Sequence, residues 1–127
     1  MQLFDLILAA KILVTALAVV IPLFVVPVRV SAPLLGLEET QMRYMRLYAL
    51  AVGALLIGYA SGFSWWRDGG FPYGIAIMGL VSNGGAAVLL AYDKHVPLVR
   101  IGAAFFGLIA VALAASLFAP DWAMKPL

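Results

Sequence analysis

A chain of 127 residues with 65% hydrophobic and only 11% charged side chains is not the mixture of a soluble domain, where roughly a quarter of residues carry charge. Its mean hydropathy of +1.09 and net charge of +2 indicate one domain embedded in lipid, and they give no support to nucleic acid as a partner. With no cysteine, the chain has no disulfide, thiolate metal site or thiol redox chemistry.

A spanning helix takes about 20 residues, so four spans with short connections use up the length. The expected fold is therefore all-α: an integral membrane protein built as a compact bundle of four transmembrane helices. The spans fall at about 3–26, 45–63, 73–92 and 99–118, with a charged helical extension at 37–48.

The first span, to Val26, is interrupted by Asp5 and Lys11. Val30, Ser31 and Ala32 look like a small-residue cleavage site after an apolar core. Asp5 ahead of the segment's one lysine, and Pro33 after the would-be cut, argue instead for a retained span. Asp5 and Lys11 stand about 240 degrees apart around a helix, so they do not pair along it. Both are candidate intramembrane polar residues, and Lys11 is expected to snorkel out to the headgroups. Pro22 cannot donate to Ala18 and predicts a kink; Pro27 predicts the helix end. The stretch VRVSAPLLG after it reads as a loop along the interface.

From Gly36 the sequence GLEETQMRYMRLY predicts a helix start, with acids at the positive end of the dipole and Glu39 four residues before Arg43. Glu39, Arg43 and Arg46 are the candidate partner contacts on this stretch. The second span follows from Met45, and Ala54, Gly58 and Gly62 recur at four-residue intervals, a seam on which another helix can pack. Tyr59 beside it needs a hydrogen-bond partner if buried.

In SWWRDGGFP, Trp65 and Trp66 are interfacial anchors, and Gly69, Gly70 and Pro72 turn the chain. The third span holds Ser82, Asn83, Gly84 and Gly85. Asn83 is read as interhelical glue, the alternative being a midplane site where the glycines loosen the helix. His95, the sole histidine, sits in the charged connection DKHVP and reads as a headgroup residue, although a lone axial ligand to a pigment is chemically open to it. The fourth span is alanine-rich, and Gly107 gives it a further close-packing position. Pro120 ends it and Trp122 anchors its exit.

Arg29, Arg43, Arg46, Lys94 and Arg100 fall on one side and Lys11, Arg67 and Lys125 on the other; five against three puts the first group inside. Both termini are then periplasmic in a bacterial inner membrane. No catalytic constellation is legible: there is no H-E-x-x-H, histidine cluster or phosphate-binding glycine loop. The expected role is a non-catalytic accessory, assembly or structural subunit of a larger membrane complex, partnered by other integral subunits or by copies of itself. The alternative is a small homo-oligomeric transporter or a lipid or quinone binder around Asn83. No cofactor is predicted, and a bound lipid, quinone or pigment stays open.

Overall fold

The computed structural model describes residues 1–38, 40–92 and 97–127, and among these the chain is helical with no strand. Glu39, with its proposed pairing to Arg43, and the Asp93–His95 connection lie outside the described residues.

A continuous apolar rod runs over Leu3–Val25. It begins as α1 (Leu3–Thr15), passes through a π-helical turn at Ala16–Val20 and ends as α2 (Ile21–Val25). The distortion expected from Pro22 takes this form: Pro22 has no N–H for Ala18, and the Ile21 N–H reaches back five residues to Ala16. Val26 is extended, so the rod stops just before Pro27 as predicted.

Two expectations fail next, for one reason. The stretch taken as a loop is a short helix, α3 (Val28–Leu34), and Gly36 closes it instead of opening the next one. Gly36 has φ +66°; its N–H bonds the Pro33 carbonyl at 3.1 Å, and the Leu37 N–H bonds the Ala32 carbonyl at 2.9 Å. That is a Schellman closure, which needs a left-handed residue and places Leu37 against the apolar cluster of Leu23, Ala32 and Met42. The charged extension is correspondingly shorter than 37–48. Glu38 lies in a turn, where its N–H bonds the Gln41 side chain at 2.9 Å, and helix α4 starts only at Met42 and runs to Ala60. Helices α5 (Tyr73–Ala91) and α6 (Pro97–Phe118) match the third and fourth expected spans, and a short α7 (Pro120–Ala123) follows.

Three helices are long and apolar enough to cross a membrane: Leu3–Val25, Tyr73–Ala91 and Val99–Phe118. Helix α4 has the length, but Arg43 and Arg46 in its first turns keep it out of that set. It nevertheless lies along the first rod, touching α1, the π turn and α2. Its exit at Ser64 meets Asp5 at the start of α1, and Phe71, just before α5, packs edge-on to Phe4 at 5.0 Å. The chain ends meet there too: the Leu3 N–H bonds the Lys125 carbonyl at 3.2 Å and the Leu127 N–H bonds the Met1 carbonyl at 3.0 Å. Trp65 and Trp66 follow Ser64 and Trp122 stands three residues before Lys125, so all three lie near this end.

Packing is densest between α5 and α6, while α4 touches α5 sparingly. The expected small-residue seam is only partly used. Gly62 presses on Leu8 and Ile75, Gly58 makes ordinary contact with Met78, and Ala54 is exposed. Gly84 and Gly107 face Ala110 and Ala87, whereas Gly85 is exposed with open space where a Cβ would stand. The tightest approach belongs to Gly79, whose Cβ would lie 2.6 Å from Leu113 Cδ1 and 3.2 Å from the Tyr59 ring.

Candidate functional site

The buried stripe of α1 is Phe4, Leu8, Lys11 and Thr15, spaced to share one helical face, with Asp5 beside it. Two polar centres result, one at the end of the molecule and one inside it.

At the end, Asp5 is fully buried and fully satisfied. Its carboxylate accepts from the Gln2 N–H at 2.7 Å, the Ser64 N–H at 2.8 Å and the Ser64 hydroxyl at 2.6 Å. Arg67 hydrogen-bonds the Gln2 side chain and the Gly70 carbonyl, which brings its charge to the same place. Every acceptor direction in use is taken by the chain itself, so Asp5 is a clasp between α1 and the 61–72 connection.

The inner centre overturns one expectation. Lys11 does not snorkel outward: it is 5% exposed and turned in, its Nζ 4.8 Å from the centroid of the Phe106 ring and 5.5 Å from that of Tyr59. Counting 1.5 Å per residue, it lies about 12 Å along the helix from Leu3, beyond easy reach of the headgroups on its inward face. Aromatic faces stabilise an ammonium by about 0.5–2 kcal/mol each but accept little from its N–H bonds. No hydrogen bond joins Lys11 Nζ to a described residue.

A cavity of about 110 Å³ opens beside it, lined by Lys11 and Thr15 of α1, Tyr48, Val52, Leu55, Leu56 and Tyr59 of α4, Ser82 and Ala86 of α5, and Phe106 of α6. Thr15 Oγ1 is buried and without a partner, although a helical threonine ordinarily bonds the carbonyl one turn back. It stands at the last α-helical position before the π turn. Tyr59 and Ser82 share a hydrogen bond of 2.5 Å across α4 and α5, so the partner Tyr59 needed is Ser82.

Asn83 is fully buried beside the Tyr59–Ser82 pair. Its Nδ2 donates to the Gly79 carbonyl of its own helix at 2.6 Å, and α5 is unbroken across Gly84 and Gly85. The hydrogen bond across α4 and α5 at this point joins Tyr59 to Ser82, the neighbour of Asn83. Asn83 Oδ1 remains buried without a partner. Ser116 likewise bonds within its own helix, to the Ala112 carbonyl at 2.8 Å.

The predicted polar residues thus separate. Lys11 and Ser82 share the cavity wall, Asn83 lies directly behind Ser82, and Asp5 belongs to the distant clasp. Thr15, Phe106 and Gly79 were missed. Thr15 was recoverable from its place on the Phe4, Leu8, Lys11 stripe, whereas an isolated phenylalanine and glycine in apolar helices carry no such mark.

A second concavity, of about 490 Å³, lies between the α2–α3 bend and α4, walled by Phe24, Val28, Met42, Leu47 and Leu50, with Arg43 and Arg46 along it. Among the described residues no cluster of His, Asp and Glu is placed to hold a metal ion. In comparisons with known proteins, no family model, no curated sequence and no solved structure matches the chain.

Proposed function

We propose that this protein is a small integral membrane protein that crosses the bilayer four times and binds a small molecule between its helices without transforming it. One observation carries the reading. Lys11 is sequestered among helices beside a cavity, with none of its N–H groups bonded to a described residue and with the unpartnered hydroxyl of Thr15 on the same wall. A lysine at membrane depth costs about 2.5–3.5 kcal/mol on insertion scales, and residues of this kind mark pathways or binding sites unless paired.

Helix α4 is the fourth crossing, with Arg43 and Arg46 at one interface and the apolar stretch Leu47–Ala60 continuing to the end that holds Asp5 and Ser64. Both termini share the end carrying the three tryptophans. The opposite end holds Arg29, Arg43, Arg46 and Arg100, and this excess of positive charge supports an inside position for it, with the termini in the periplasm of a bacterial inner membrane.

Purification in mild detergent followed by mass spectrometry of extracted small molecules tests the binding. The native protein is expected to carry a bound molecule at near one per chain. Lys11→Met is expected to lose it while melting no lower than the native protein, because an apolar side chain of similar length removes a costly buried charge. A native preparation that carries no small molecule, or a variant that retains it fully, overturns the reading.

A second reading, an accessory subunit of a larger complex, is favoured by the exposure of Gly85 and by the Arg43–Arg46 groove. Under it, replacing both arginines by Gln is expected to release a co-purifying membrane partner while the protein stays inserted. Retention of the partner counts against that role for the groove.

A further inference from the structure

We infer that the group held against Lys11 is the carboxylate of a single-chain amphiphile, whose tail leaves the cavity between α4 and α5 into the lipid. The inference rests on the binding role proposed above and adds the chemistry of the ligand.

Charge comes first. The cavity wall contributes one cation and the hydroxyls of Thr15, Tyr48, Tyr59 and Ser82, and among the described residues none that lines it is acidic. Two aromatic faces give an ammonium no acceptor for its N–H donors, and an oxyanion is the partner that meets both its charge and those donors. The Thr15 hydroxyl, buried and unpartnered on the same wall, is a second donor for that oxyanion.

Size comes next. At about 110 Å³ the space is smaller than the roughly 150 Å³ apolar cavity that admits benzene. A carboxylate and the first carbons of a chain fit; the substituted ring of a quinone does not.

The route follows from the packing. Helices α4 and α5 meet where Gly58 and Gly62 face Met78 and Ile75 and where Tyr59 meets Gly79, and they touch little elsewhere. Tyr48 lines the cavity and is 48% exposed, so the cavity reaches the lipid-facing surface along α4. The walls on that path are Val52, Leu55 and Ala86, which suit a hydrocarbon tail.

Laurate labelled with ¹³C at the carboxyl, titrated into detergent-purified protein and followed by NMR, tests the inference. Saturable binding of one laurate per chain is expected. Methyl laurate and dodecanol should bind at least about tenfold more weakly, the usual effect of losing a charge-assisted hydrogen bond. Lys11→Met should lose laurate binding to a similar extent. Thr15→Val, which keeps the side-chain shape, should weaken it severalfold and serves if Lys11→Met does not fold.

Equal binding of methyl laurate overturns the carboxylate. Full displacement of laurate by chloride, or by a short-chain quinone, overturns the amphiphile. If laurate does not bind while extraction still yields a Lys11-dependent molecule, the carboxylate inference fails and the binding role stands. If extraction also yields nothing, both fail.

Discussion

Asp5→Ala is expected to destabilise the protein by about 2–5 kcal/mol, read as a fall in melting temperature in detergent. The carboxylate is fully buried and is the acceptor for two backbone N–H groups and one hydroxyl, from Gln2 and Ser64. Truncation leaves those half-buried donors without their acceptor and leaves the charge of Arg67 without its neighbour. It also removes the N-terminal cap of α1, since the Gln2 N–H is one of the donors a helix start cannot satisfy itself. Ser64→Ala removes one bond and should cost about 1 kcal/mol. The double variant should then be little worse than Asp5→Ala alone, because the two side chains act through the same contact. Additive losses would show that the two side chains do not act through one contact, and an Asp5→Ala protein with native melting would show that the clasp contributes nothing to stability.

The second large effect is expected at Gly79. A Cβ there would stand 2.6 Å from Leu113 Cδ1, closer than real side chains approach, and 3.2 Å from the Tyr59 ring. Leu113 is fully buried, so its methyl has no free space to retreat into. Overpacking of this kind costs about 1–3 kcal/mol for an added methyl and more for a branched side chain. Gly79→Val is therefore expected to separate α5 from α4 and α6, break the Tyr59–Ser82 bond and open the Lys11 cavity. Both melting temperature and ligand retention should fall. Gly85→Ala is the control: its Cβ meets open space, and in a helix alanine gains roughly 1 kcal/mol over glycine. If the Gly79 variant melts like the native protein while the Gly85 control is damaged, the packing at these two glycines is the reverse of that described.

Much of the helical layout is legible in the order of residues. Pro27 and the apolar run before it define the first rod, and Pro72 and Phe118 bound the third and fourth expected spans within a residue or two of the observed helices. The region from Val28 to Gln41 was less readable, because Gly36 serves equally well before a helix or after one. What decided its role was the Leu37 side chain, which closes α3 by packing against a cluster contributed by distant residues. Asp5 and Lys11 were visible as anomalies in hydrocarbon, but their roles were not. Six residues apart in one helix, they serve different parts of the structure: a satisfied clasp where the chain ends meet, and a cation set between two aromatic rings inside.

The sequence by itself determined the apolar setting, the number of long helices and the ends of all of them but α4, since these follow from hydropathy, length and proline chemistry. Tertiary structure alone decided which face of each helix turns inward. In water a helix buries its apolar stripe, and the pattern reveals the face. In lipid the surroundings are as apolar as the interior, so close packing and hydrogen bonds choose the face. That choice turned Lys11 and Thr15 toward Tyr59, Ser82 and Phe106, and assembled a cavity that no neighbouring residues in the chain announce.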